Sequence, residues 1–212
     1  HSLRRRQRQM CIRDRHHSYD TNRKQVRMIT ELNASTYAER LRDDMNRGVA
    51  IADALKAIII SGDGTIDNFE KVSENLMSDF VQSIQIAPDG VVTEIYPAEG
   101  NEAGKIDLLH DENRGEICRY GRDNKCVTMQ GPFDLKQGGL GIAVRYPVYL
   151  EAADGNPVFW GFTIVIIRVP EIFEESVQAL TEFGYDYCLT KTVSPLSEER
   201  ERLSFSKEDL TN

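Results

Sequence analysis

The stretch Gly131-Pro132-Phe133-Asp134-Leu135-Lys136-Gln137-Gly138-Gly139-Leu140-Gly141-Ile142-Ala143-Val144-Arg145-Tyr146-Pro147-Val148-Tyr149 decides the fold. It reads as a hairpin arm with a glycine-softened bend. Residues 127–129 and 140–150 are rich in β-branched and aromatic side chains, which suit a pleated, half-buried surface. Gly138-Gly139 between them permits backbone angles that a Cβ would forbid. A second arm follows, Val158-Phe159-Trp160-Gly161-Phe162-Thr163-Ile164-Val165-Ile166-Ile167. The turn Asp154-Gly155-Asn156-Pro157 separates the arms and carries the residues that tight turns need. The second arm is apolar on both faces, so it belongs in the middle of a covered sheet rather than at an edge.

Working outward, residues 20–44 are helical in composition and strongly charged. Val26, Ile29, Leu32, Ala34, Tyr37, Ala38 and Leu41 form a narrow stripe in which spacings of three and four predominate. Such a seam suits a stalk or a dimer partner, or a surface helix packed on its own domain. A second helix is expected over residues 49–60, stopping near Gly62 and Gly64. A third starts after Asp67, with Asp67 and Glu70 as a capping box and Phe69, Val72, Leu76, Met77 and Phe80 as its apolar face. Strands over residues 83–87 and 91–96 are joined through Pro88-Asp89-Gly90. Residues 111–120 read as a short helix. Pro170 opens a last helix to about Phe183, followed by Gly184, a strand over residues 185–190 and a charged, loose tail from Ser197. Paired strands between helices give an α+β fold: an antiparallel sheet with helices to one side.

Composition narrows the function. The 212 residues suit one domain with extensions, or one domain and part of another, and 40% are apolar, enough for a real core. Residues 1–15 hold six arginines against one aspartate with no hydrophobic periodicity. The run Gln9-Met10-Cys11-Ile12-Arg13-Asp14-Arg15 looks like translated adapter sequence, so residues 1–15 are expected to be a non-native leader. The alternative is a basic tail for nucleic acid or anionic lipid. Setting the leader aside takes the net charge from −8 to −13, and a body that acidic repels phosphate backbones, so nucleic acid is not expected as a partner. No apolar run approaches the roughly 18–20 residues that span a bilayer. Cys118 and Cys126 are candidates for a disulfide outside the cytoplasm, Cys188 reads as a strand core residue, and no Cys/His ligand spacing occurs.

Catalytic parts do not assemble. Aligning Gly64 with the glycine of a calcium loop leaves Ile59 and Ser61 at the first and third ligand positions, and an aliphatic side chain cannot coordinate a hard cation. A helix stop followed by a capped helix start explains the same residues. Neither a Gly-x-Ser-x-Gly nucleophile nor a Walker-type phosphate loop appears. Outside the leader and its edge, His110 is the lone histidine, and nothing in the spacing of the carboxylates selects an acid–base pair. No metal or cofactor is expected, and the chain reads as a binding module rather than an enzyme.

The order of these pieces resembles the CHASE domain, an extracytoplasmic ligand-sensing module of bacterial and plant membrane receptors. The resemblance runs over about residues 50–173. An amphipathic helical region comes first, then a strand pair ending in Glu94-Ile95-Tyr96-Pro97. Gly100-Asn101-Glu102, Ile106-Asp107-Leu108-Leu109, the Gly131-Pro132 strand, Tyr146-Pro147-Val148-Tyr149 and the Gly161-Phe162 strand follow. It implies a PAS-like antiparallel sheet with flanking helices, preceded by a long N-terminal stalk helix. The expected organisation is a stalk over 16–48, a sensor domain over 49–173, and a connecting helix with the start of a membrane-proximal unit over 174–212.

Family members with a known ligand present an aspartate from the motif that reads Ile106-Asp107-Leu108-Leu109 here, which makes Asp107 the matching position. Its local alternative is a cap on the following helix or a bond to neighbouring backbone. Met129 and Phe133 are candidate pocket walls, Thr128 or Gln130 a polar contact. Arg145, which interrupts an apolar strand, is either an anion ligand's partner or half of a structural salt bridge. The resemblance implies an unidentified small-molecule ligand, a homodimer through the stalk, and membrane attachment only through transmembrane helices absent from this chain. The parent protein would carry a histidine kinase or GGDEF-type cyclase on the cytoplasmic side. The rivals are a ligand-free dimerisation spacer, with its pocket filled by side chains, and a small soluble enzyme.

Overall fold

The structure, a computed structural model, describes residues 2–99, 106–135, 138–169, 181–182 and 184–207. Helix α1, Ser2–Ser61, runs unbroken where the sequence suggests two helices with an interruption near residues 45–48. Gly48 is the only strong helix breaker there, at a cost of about 1 kcal/mol relative to alanine. Its lack of a side chain lets the helix lie against the sheet: a Cβ would sit 3.0 Å from Ile167 Cγ2 and 3.3 Å from Val144 Cγ2.

The chain forms two compact units, the first ending at Leu41 and the second starting at Arg42. In the first, Tyr19, Val26, Met28, Ile29 and Leu32 of α1 are exposed. Arg27 and Glu31 pair one turn apart at 2.9 Å. The hydroxyls of Thr30 and Thr36 donate to carbonyls four residues back.

The second unit holds the core. Helix α2, Phe69–Leu76, is capped by Asn68, whose side chain accepts the Lys71 N–H at 3.3 Å. The box expected from Asp67 and Glu70 therefore does not form. Asn68 occupies the left-handed region at φ 58°, which asparagine tolerates because its short side chain bonds locally.

Strands β1 (Val81–Pro88), β2 (Glu94–Tyr96), β3 (Thr128–Asp134), β4 (Leu140–Glu151) and β5 (Pro157–Val169) form one sheet in the order β2-β1-β5-β4-β3. All neighbours are antiparallel. The α+β class expected from the sequence holds, and β5 occupies the centre as its two apolar faces require. Gly138 and Gly139 turn the β3–β4 hairpin at φ 89° and 81°.

The helices lie on both faces rather than one. Ala52, Leu55 and Ile59 of α1 and Phe69 of α2 pack with Ile84, Val144, Val165 and Ile167. On the other face Leu108, Leu109 and Cys118 pack with Val92, Phe162 and Ile164. Alternation along β5 sends 162 and 164 one way and 165 and 167 the other. Each fully buried aliphatic or aromatic side chain contributes about 1.5–3 kcal/mol.

Helix α3, Gly115–Asn124, carries Cys118 and starts four residues later than expected. Asp111 accounts for the delay: its Oδ1 accepts the N–H groups of Asn113 and Arg114, both at 2.9 Å, and holds the chain in a turn first.

The expected loose tail is a correction. Residues from Arg200 to Phe205 form β7, which pairs antiparallel with β6, Cys188–Thr192. Lys191 meets Glu201 across the pair at 3.3 Å. Strand β6 begins three residues after the expected start at Tyr185, and Cys188 opens it, half-buried. Thr181 and Glu182 are helical; the rest of the expected helix over 170–183 lies outside the described residues, as does Gly100-Asn101-Glu102.

Candidate ligand cleft between α3 and β3

Strand β3 lies at the sheet edge, and its pleat turns Thr128 toward α3. Gly121 of α3 makes that approach close: a Cβ there would lie 2.9 Å from Thr128 Cγ2 and 3.2 Å from the Cys126 carbonyl oxygen. Two residues on, Gln130 faces the same way, and its Nε2 donates to the Asn113 carbonyl at 2.8 Å. Here, at the start of α3, a cleft of about 250 Å³ opens. Its walls are Asn113, Glu116 and Ile117 at the start of α3, residues 129–131 of β3, and residues 191–195 of β6 and the turn beyond. Ser194 closes one corner by donating to Glu116 Oε1 at 2.8 Å.

Deeper under α3, Thr128 stands directly opposite Arg145 in the β3–β4 register. Both are buried, at 6% and 3% exposure. Among the described residues Thr128 Oγ1 and the Nε and Nη1 of Arg145 have no hydrogen-bond partner. Among the described residues Arg145 forms no salt bridge, so the ion-pair explanation for this arginine is not met. Burial pulls its pKa down from the usual arginine range; the neighbouring Cys118 opposes that and Arg114 adds to it. Burial likewise pushes the Cys118 thiol up, away from the thiolate a nucleophile needs. Cys118 and Cys126 are both free thiols, not a disulfide.

Asp111 is a carboxylate whose charge acts on Arg145. Burial raises its pKa, but the N–H groups of Asn113 and Arg114 and the Arg114 guanidinium outweigh that and hold it below the ordinary aspartate value. Arg114 Nη1 is 2.6 Å from Asp111 Oδ2. Its oxygens are thus already engaged.

The sequence candidates fall into four places. Met129 and Gln130 line the cleft, and Thr128 and Arg145 lie side by side beneath α3, next to it along the same face of the sheet. Phe133 is exposed near the far end of β3. Asp107 is apart from them, bridged to Val91 at the other edge of the fold. Its carboxylate accepts the N–H groups of Leu109 and His110 at 3.1 and 3.2 Å and meets His110 Nδ1 at 2.8 Å. The bond to His110 is the main reason its pKa is lowered. That is the local backbone role weighed as its alternative. Sequence reasoning missed Asn113, Ile117 and the 191–195 wall, because β6 and β7 pair across a turn that carries no strong hairpin signal.

Among the described residues no three His, Cys, Asp or Glu side chains converge as a metal site, and no helix is long and apolar enough to cross a membrane. No curated protein matches the chain. Among solved structures it is similar to an extracellular ligand binding receptor from Desulfohalobium retbaense DSM5692, with a TM-score of 0.52 at 15% identity. The match covers 69% of this chain and 26% of that one, so the chain corresponds to about a quarter of the receptor's length. That likeness shows a shared fold. The sequence profile of the CHASE domain matches residues 29–199, which takes in the distal part of α1, the whole five-stranded sheet, α3 and β6. A match over that span, most of the chain, identifies it as a member of the CHASE domain family of extracytoplasmic sensory domains.

Proposed function

We propose that this sensory domain binds a small molecule in the cleft between α3 and β3 and reports occupancy through α1 to the rest of a membrane-anchored signalling protein. The cleft itself carries the reading. Three separate segments converge on it with an apolar wall (Ile117) and polar ones (Asn113, Gln130, Lys191). That mixture fits recognition, and about 250 Å³ falls just under the range of drug-sized pockets, so the guest has few heavy atoms. The PAS-like description of the sheet rests on the order β2-β1-β5-β4-β3.

The route to α1 is short. Arg145 pairs with Ile164, and the next pair along the same two strands is Tyr146 with Thr163. That pair points the other way. Thr163 Oγ1 donates to the Ala52 carbonyl at 2.9 Å, and the Lys56 ammonium lies 4.0 Å from the centre of the Tyr146 ring. A ligand that shifts β4 against β5 thereby changes the seat of α1, provided it binds one arrangement more tightly than the other. The exposed Val26, Ile29 and Leu32 stripe would carry that change into a homodimer, and the output domain would be a histidine kinase or a cyclase.

Differential scanning fluorimetry of the 212-residue chain against amines, organic acids and purines tests the proposal. Saturating ligand at a hundred times its Kd stabilises by about 2.7 kcal/mol, a rise of roughly 5–10 °C for a domain of this size. Val193→Trp, which sets a ring over the cleft from an exposed position, should abolish the rise. A screen without any stabiliser refutes ligand sensing and leaves the ligand-free spacer.

A further inference from the structure

We propose that Arg145 and Thr128 form the recognition centre for the carboxylate of a small organic acid that enters through the cleft. Arg145 lies beneath α3 with two guanidinium nitrogens unpartnered, and the Thr128 hydroxyl opposite it is unpartnered too. Leaving a buried charge without a counter-charge is among the more costly arrangements a fold can hold. Nothing in the surrounding core requires an arginine, since Ile164, its partner on β5, and Cys118 of α3 on the same face belong to an apolar cluster. The acid that could neutralise it, Asp111, is committed to Arg114 and to two backbone N–H groups. Two unpartnered polar groups on directly opposed residues mark a place for an acceptor supplied from outside.

The chemistry of that acceptor follows from the donors. A guanidinium presents a planar fork that matches the two oxygens of a carboxylate, and the threonine hydroxyl adds a further donor. One unpartnered cation suits one negative charge; a phosphate dianion would call for a second. Access would come from the cleft, which lies next to the pair along β3. Gln130, a cleft wall, is two residues from Thr128 on the same face of β3, a separation of about 7 Å. Ile117, another wall, precedes the buried Cys118. The organic part of the acid would occupy the cleft, and its carboxylate would reach under α3. This rests on the cleft being the sensor's binding site.

The test is a thermal-shift comparison of the full chain with acetate, pyruvate, succinate and benzoate, each against its uncharged amide and against inorganic phosphate. At a hundredfold excess over Kd the effective acid should raise the midpoint by roughly 5 °C or more, and its amide and phosphate should not. Arg145→Met, which removes the charge and nearly keeps the volume, should abolish that rise. Its own midpoint should equal or exceed that of the unliganded wild type, because an uncompensated buried charge has gone. Thr128→Val, close in shape, should weaken the acid at least fivefold in a titration without unfolding the chain. If Arg145→Met lowers the unliganded midpoint, the arginine is a structural element and the proposal fails. Stabilisation by amines or purines that survives Arg145→Met overturns the proposal while leaving the sensor reading intact. Absence of any stabiliser in either set overturns both.

Discussion

Replacing Gly161 with alanine tests the placement of β5, the strand whose two faces serve α1 and the cleft. Gly161 lies between Pro88 of β1 and Val148 of β4. Its φ is +152°, and an ideal Cβ there would stand 2.1 Å from the Ala87 carbonyl oxygen and 2.8 Å from Pro88 Cα. Both obstacles are backbone, so no rotamer change relieves them. Holding an L-residue in that region costs about 1–3 kcal/mol. Moving β1 aside also breaks the bond from Asp89 N–H to the Trp160 carbonyl, 2.8 Å long, worth about another 0.5–1.5 kcal/mol. The expected loss is therefore about 1.5–4.5 kcal/mol, or roughly 3–18 °C in Tm for a chain of this size. Trp160, the single tryptophan, adjoins the substitution and donates its indole N–H to the Gly64 carbonyl at 3.1 Å, so its fluorescence follows unfolding of this unit. Gly138→Ala is the control. Its φ is +89° but nothing lies within 4 Å of the added Cβ, so only the conformational cost of about 1–2 kcal/mol applies. If the two variants melt together, the steric argument for the β1–β5 register is wrong.

Three further outcomes follow from particular groups. Cys118 is fully buried and Cys126 half-buried, so iodoacetamide on the native protein should alkylate Cys126 roughly tenfold faster or more; a Cys118–Cys126 linked peptide in mass spectrometry would contradict the free thiols. The lowered pKa of Asp111 means that its contribution is fully present above the unfolded value of about 3.9 and is lost as pH falls through the lower folded value. Asp111→Asn should therefore flatten the acid limb of a stability–pH curve and leave the alkaline limb unchanged, and a parallel shift of the whole curve would count against that role. The double substitution Ile29→Lys and Leu32→Lys should halve the solution mass measured by light scattering, through loss of a helix-pair seam; an unchanged mass would place any dimer contact elsewhere.

What the sequence could convey depended on range. The two-faced apolarity of β5 identified a central strand because side-chain alternation is a local property, and the Asp154-Gly155-Asn156-Pro157 turn fixed its partner by proximity. The helices expected over residues 20–44 and 49–60 are one, and Gly48 between them supplies the bare backbone that lets Ile167 and Val144 approach. The tail was misread for a related reason: Arg200-Glu201-Arg202 looks solvated until Lys191 and Thr192 supply a strand to pair with. The site shows the same limit more sharply. Met129 and Gln130 could be named as walls from one strand alone. Asp107 drew attention through its motif, yet its carboxylate is occupied by its own turn, an outcome the Leu-Leu-His that follows it does not forecast. The pairing of Thr128 with Arg145 spans seventeen residues and depends on a register shift between Gln130 and Phe133. A one-residue slip would turn Arg145 to face a different neighbour. No periodicity encodes that choice. It emerges only when β3 and β4 close on each other and leave two unpartnered polar groups in contact with a third element, α3. Function in this fold is therefore written at the crossings between segments, where sequence pattern is least informative and buried, unmatched charge is the clearest physical signal.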